Sequence, residues 1–235
     1  MNTEILQEIK KTNIYSQMKK LLFTGEILYG ERFTETQISE RFNVSRMPVR
    51  EAFKLLTYEG FIEKSETTGY KIKTISEQDL IDTYAFRECL DGMLTYLFTL
   101  KHTTSQLFYL ENILDAMQKN KDSGNETLMS SIDQEFHGVI ARGAGNRQML
   151  TQFELVFEKI IFSNHILIHD KLPNGSILQD VYTPQYSRSV FYEHEEIVQY
   201  IKSGNPEEAE KCARKSVKEG LKKTLEILAK QFIRR

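Results

Sequence analysis

The chain has 235 residues, 40% of them hydrophobic and 27% charged, with a formal net charge of −2. Four prolines and no Ser/Gly/Pro-rich run exclude a disordered or low-complexity protein and leave a globular chain of one large domain or two modest ones. No apolar run is long enough to span a bilayer, residues 1–11 lack the apolar core of a secretory signal, and Cys89 and Cys212 are too few for a disulfide framework, so a reducing cytoplasm is the expected setting. The charge is uneven: residues 1–75 hold 12 Lys/Arg against 10 Asp/Glu, and the remainder 19 against 23. A mildly basic N-terminal part joined to an acidic remainder fits a small nucleic-acid module carried by a non-binding domain.

In chain order, Ile14, Met18, Leu21 and Leu22 mark a first amphipathic helix from about Thr12, stopped by Gly25. Residues 26–33 read as a connector. Thr34 with Gln37 three positions later is a capping box, opening a second helix over 34–42 that buries Ile38 and Phe42. Asn43-Val44 make a tight turn, and Ser45 stands where it can cap a third helix with Pro48 in its first turn. On that helix Val49, Ala52, Phe53 and Leu56 recur at i, i+3, i+4 and i+7 as a buried stripe, while Arg46, Arg50 and Lys54 follow at i+4 steps on another face. Gly60 fits a left-handed C-cap, and the stretches 61–64 and 70–75 read as two strands around the Thr67-Thr68-Gly69 turn. Together these elements predict three helices plus a β-hairpin, a winged helix-turn-helix whose arginine forks suit the O6/N7 edge of guanine.

From Glu77 onward only helical signals remain, at about 77–101, 104–120, 125–142, 146–170, 186–203 and 206–233. The breaks between them predict an all-helical antiparallel bundle of about six helices. The expected domains are therefore 1–76 and 77–235.

Two groups in the bundle could carry chemistry. Asp133 and His137, at i and i+4 on one helix, and His194 on a later helix could together hold Zn2+, Mn2+ or Ni2+; an Asp–His surface hydrogen bond with an unrelated His194 is the plainer reading. Arg87 shares a face with Tyr84, Asp91 and Leu94, and either clamps a carboxylate ligand or pairs with Asp91. His165 and His169 form a second i, i+4 pair that could bind a metal, with solvated histidines at a helix end as the plainer reading, and the two cysteines read as core residues.

The run Gly25, Gly30, Phe33, Ile38-Ser39, Val44-Ser45-Arg46-Met47-Pro48-Val49-Arg50-Glu51-Ala52, Leu56, Glu59-Gly60-Phe61 and Gly69-Tyr70 resembles the winged-helix domain of GntR-type bacterial transcription regulators. The resemblance spans nearly all of 12–75. It implies major-groove contacts from Arg46 and Arg50, a backbone contact from Ser45, and a wing around Thr68 and Gly69 entering the minor groove. Thr36 matches a position where some relatives use arginine, which leaves the target sequence open, and Tyr29 replaces the usual proline before Gly30. Lys54 continues the cationic face, whereas Glu51 is expected to serve packing and charge pairing.

Residues 78–225 are similar to the FCD ligand-binding domain of the FadR subfamily. That likeness is carried by Arg87-Glu88-Cys89-Leu90-Asp91, Asp133, Phe136-His137 with Ile140, Gly145-Asn146-Arg147-Gln148-Met149-Leu150, Glu193-His194 with Ile197, and Gly204-Asn205-Pro206-Glu207-Glu208-Ala209. It implies a metal held by an Asp and three His and used to bind an organic-acid effector. Asp133, His137 and His194 fall on three of those positions and Ser216 on the fourth. Serine is a poor ligand, so water, the effector or Cys212 one turn earlier would complete the shell. The function implied is a homodimeric, effector-controlled repressor of double-stranded operator DNA, with Arg87, Asp133, His137 and His194 as the effector site and no membrane partner. A bundle metalloenzyme with a DNA-targeting domain is the alternative, and a helical domain that binds only another protein is a third reading.

Overall fold

The computed structural model describes residues 13–169 and 184–233. The chain divides at Ser76/Glu77 into two compact units. The first contains α1 (Asn13–Phe23), β1 (Arg32–Phe33), α2 (Glu35–Phe42), α3 (Arg46–Glu59), β2 (Ile62–Lys64) and β3 (Tyr70–Ile72). The expected capping box is present: the Thr34 side chain accepts from the Gln37 N–H, and the Gln37 side chain accepts from the Thr34 N–H. Asn43, in the left-handed region at φ 52, ends α2, and its backbone N–H returns to Glu40 and Ser39. Asparagine tolerates that conformation better than most residues with a Cβ, so the turn into α3 is fixed locally.

The α3 stripe does what its spacing predicts. Val49, Ala52, Phe53 and Leu56 are fully buried, and the Phe53 ring meets Phe33 and Tyr70 edge-on at centroid distances of 5.5 and 4.7 Å. Ser45 departs from expectation. It occupies the N-cap position in extended conformation, but its side chain makes no cap hydrogen bond.

The hairpin also differs. β1, expected as part of a connector, pairs antiparallel with β3 through Arg32↔Lys71 and Phe33↔Tyr70, giving a three-stranded sheet of order β1-β3-β2. Two residues are too short to read as a strand by alternation; their partner's register creates them. Gly69, at φ 83, turns the wing where a Cβ would lie 2.5 Å from the Phe33 carbonyl oxygen, so close backbone approach as well as turn geometry calls for glycine there.

The second unit is a bundle of α4 (Glu77–Lys101), α5 (Thr104–Asn120), α6 (Glu126–Gly143), α7 (Arg147–His169), α8 (Pro184–Lys202) and α9 (Pro206–Ile233). α4 packs against α9, α7 and α6, and α8 against α9 and α5. Leu90, Leu94, Phe98, Met117, Phe136, Ile197 and Val217 belong to its core. Cys89, expected in that core, is exposed on α4, and Cys212 is half-buried. A small side chain next to a buried position carries little periodic information. The side chains of His165 and His169 lie outside the described residues. No helix among the described residues is long and apolar enough to cross a membrane.

Candidate functional site

Asp133 and His137 lie on one face of α6 because residues four apart share a helical face, and α8 brings His194 opposite them. One donor atom from each of the three residues lies within 4.8 Å of the others. Asp133 Oδ1 is 3.0 Å from His194 Nε2 and 3.7 Å from His137 Nε2. His194 Nδ1 is 2.7 Å from the Val190 carbonyl oxygen, which can only accept, so Nδ1 carries the proton and donates. His137 Nδ1 lies 3.3 Å from Asp91 Oδ2 and by the same logic donates to it. In the neutral imidazoles both Nε2 atoms then direct lone pairs toward a carboxylate oxygen. Three acceptors converging in a buried space make a set that could hold a cation.

Imidazole with carboxylate suits Zn2+, Mn2+ or Ni2+. Ligand atoms about 2.0–2.2 Å from one ion lie roughly 3–4 Å from each other, as Asp133 Oδ1 does from each histidine Nε2. Backbone carbonyl and Asp91 acting on the far ring nitrogens are the outer contacts that orient metal-binding histidines. The donor set therefore fits a divalent ion.

The electrostatics are those of a closed cluster. The Asp133 carboxyl lies well below the usual carboxylate range despite its burial, with the Arg87 guanidinium among the groups that hold it there. Burial, and then the Arg87 guanidinium, push His137 well below the ordinary imidazole range, so it is neutral. Arg87 donates through Nε to Asp91 Oδ2 at 3.2 Å and lies over the Phe157 ring, with Cζ 4.7 Å from the centroid. Burial works against that charge, but Asp91, Tyr84 and Asp133 outweigh it and raise the guanidinium. Asp91 is raised by burial, with Arg87 opposing. Its Oδ1 is a buried oxygen without a hydrogen-bond partner. Arg87 thus pairs with Asp91, as one of its two readings expected, and also feels the Asp133 charge of the cluster.

Ser216, at the fourth position, points its hydroxyl to Glu193, donating to Oε2 at 2.8 Å, while Ser189 donates to Oε1 at 2.8 Å. It is occupied outside the cluster. Cys212 does not replace it. Burial, followed by Glu196, pushes its thiol up to about 11, and among the described residues it is not one of the converging donors. Sequence reasoning missed Glu193 as the partner of Ser216 and Tyr186, whose phenol burial raises with help from Tyr84, Asp133 and Glu193. Neither has a local pattern that announces it.

In the first unit, Arg46, Arg50 and Lys54 are all exposed on α3, as are Ser45 before it and Thr68 in the wing; Thr36, in the first turn of α2, is half-buried. Two of the three cations are already held by carboxylates. Arg50 pairs with Glu35 and Lys54 with Glu51, the latter at 2.7 Å. Glu51 is thus a charge partner, as expected, whereas Glu35 was not foreseen.

Residues 10–72 match the bacterial regulatory proteins of the gntR family, and residues 82–219 match the FCD domain. The chain is 29% identical over 197 residues to the HTH-type transcriptional regulator YdhC of Bacillus subtilis, covering 83% of this chain and 82% of that protein. It is 24% identical over 151 residues to a probable D-xylose utilization operon transcriptional repressor of Paenarthrobacter nicotinovorans, covering 61% and 65%. Among solved structures, E. coli McbR/YncC superposes with a TM-score of 0.67 at 17% identity, over 93% of this chain and 96% of that one, which is a likeness of fold. These families and relatives are transcription regulators, not enzymes, and the metalloenzyme alternative falls with them. With a winged helix that matches the one family followed by a helical bundle that matches the other, the chain belongs to the GntR family of bacterial transcription regulators, in its FCD-domain branch.

Proposed function

We propose that the protein is a cytoplasmic repressor that binds operator DNA as a homodimer and releases it when a small carboxylate binds in the helical bundle. Residues 1–76 carry DNA binding and 77–235 effector binding and dimerisation. The observation that carries this reading is the convergence of His137 Nε2 and His194 Nε2 on Asp133, with the Arg87 guanidinium in the same cluster. A divalent ion held by Asp133, His137 and His194 would supply a Lewis-acidic point for one carboxylate. Arg87, with only its Nε committed to Asp91, keeps further N–H donors for the same ligand.

On the DNA side, Arg46, Arg50 and Lys54 of α3 enter the major groove with Ser45 and Thr36 beside them, and the wing at Thr68 and Gly69 reaches the minor groove. One recognition helix offers few base contacts, so a two-fold pair reading a pseudo-palindrome supplies the specificity. Release requires only that the ligand bind the DNA-incompetent arrangement more tightly, typically by about 1–3 kcal/mol.

The test is a gel-shift titration of metal-loaded protein on duplex selected from a random pool, repeated with a panel of mono- and dicarboxylates. Release by a carboxylate, lost in Arg87→Ala, is the expected result. A complex that no carboxylate dissociates removes the proposed effector class.

A further inference from the structure

We infer that Glu35 is a positioning residue for base reading: it holds the Arg50 guanidinium by one edge and thereby presents the other edge as a fixed fork to a guanine. The inference rests on the DNA-binding role proposed for α3. Glu35 opens α2 and Arg50 lies in the second turn of α3, so the contact is made only by the folded helix-turn-helix. Arg50 Nε is 3.3 and 3.1 Å from the two Glu35 carboxylate oxygens, and Nη2 is 3.1 Å from Oε2. The Nε–Nη2 edge is therefore engaged.

A guanidinium carries five N–H donors in one plane. With that edge taken, the end formed by Nη1 and the remaining Nη2 hydrogen stays free, and an arginine fork of this kind matches guanine O6 and N7. Side-chain exposure agrees with the assignment: 50% for Arg50 against 22% for Glu35, so the carboxylate lies on the sheltered side. The other cations of α3 lack this device. Arg46 is exposed with no such carboxylate among the described residues, and Lys54 is held by Glu51 on its own helix. A lysine is moreover a point charge without a fork.

Two separable consequences follow from one carboxylate. Ordering the arginine before DNA arrives reduces the conformational freedom lost on binding, which sharpens the guanine preference. The negative charge near the phosphate backbone opposes sequence-independent binding, which is electrostatic. A residue that merely helped α2 pack would weaken specific and non-specific binding together.

The full-length protein, Arg50→Ala, Glu35→Ala and Glu35→Asp should each be put through selection from a random duplex pool, with binding then measured to the wild-type winner, to single-base variants of it and to unrelated duplex. Wild type is expected to enrich a guanine in each half-site that Arg50→Ala no longer requires. Glu35→Ala should lower the preference at that same base pair by about tenfold while binding unrelated duplex more tightly. Glu35→Asp should restore part of the preference, and thermal melting should be unchanged throughout. Glu35→Ala with an intact guanine preference overturns the inference even if all affinities rise, and so does an equal loss at every position. Absence of any enrichment by wild type removes the DNA-binding reading, and this inference with it.

Discussion

The two candidate sites use similar charged side chains under opposite conditions. Where α2 meets α3, Glu35 and Arg50 pair at the surface, where water and salt screen the pair and its contribution to stability is about 0–1 kcal/mol. In the bundle, the Arg87 and Asp91 side chains retain only 11% and 3% of their exposure. There, each charge is tolerable only because the other is present, and removing one leaves a buried charge unpaired. The surface pair is therefore free to serve binding at small cost to folding. The buried pair would tie the proposed ligand binding to the integrity of the bundle. Substitutions at the first should change DNA recognition with the melting curve intact, and substitutions at the second should change both.

The largest effect separates the two regions directly. Asp91→Ala should destabilise the protein by about 3–5 kcal/mol in urea unfolding, because Arg87 is left buried without its carboxylate. Near-wild-type stability would place Asp91 on the same footing as the surface pairs and dissolve the contrast. Next, Arg50→Ala should cost about 1–3 kcal/mol in operator binding and relax base preference at one position, with unfolding unchanged within about 0.5 kcal/mol. Loss of both affinity and stability would mean that the Glu35 pair is structural.

A pH titration of the metal-free protein sharpens the comparison from the other side. Folded His137 takes its proton only well below the ordinary imidazole range, so as pH falls through about 6.5 the unfolded chain binds the proton and the folded chain does not. Stability then drops toward acid, by up to about 1.4 kcal/mol per pH unit for one such group. The slope should flatten in His137→Gln, and an unaltered slope in that variant would assign the effect elsewhere. Smallest among these, Thr34→Ala removes one half of the capping box at the start of α2 and should cost about 1 kcal/mol of stability.

Sequence alone revealed what is set by neighbours along the chain. Thr34 with Gln37, Asn43, the Val49/Ala52/Phe53/Leu56 stripe and Gly60 all signal within a few residues, and each is realised in the fold. The Asp133/His137 spacing made one side of the cluster visible for the same reason. What escaped depends on segments far apart in sequence. β1 exists only because β3 lies beside it, and Glu35 meets Arg50 only once α2 and α3 have packed. The hydroxyl of Ser216 found Glu193 on another helix, which no spacing rule could indicate. Ser45 shows the converse limit: the right residue at the N-cap position still made no cap hydrogen bond.

The central claim is that Asp133, His137 and His194 form a working metal site, and metal content tests it most directly. Protein purified without chelator or nickel resin should be analysed by mass spectrometry beside His137→Ala, with circular dichroism to confirm that the variant folds. The account predicts near-stoichiometric divalent metal in the wild type and its loss in a folded variant. No metal in the wild type, even after dialysis against Zn2+, Mn2+ or Ni2+, would contradict it and leave Arg87 and hydrogen bonds as the only means of holding an effector.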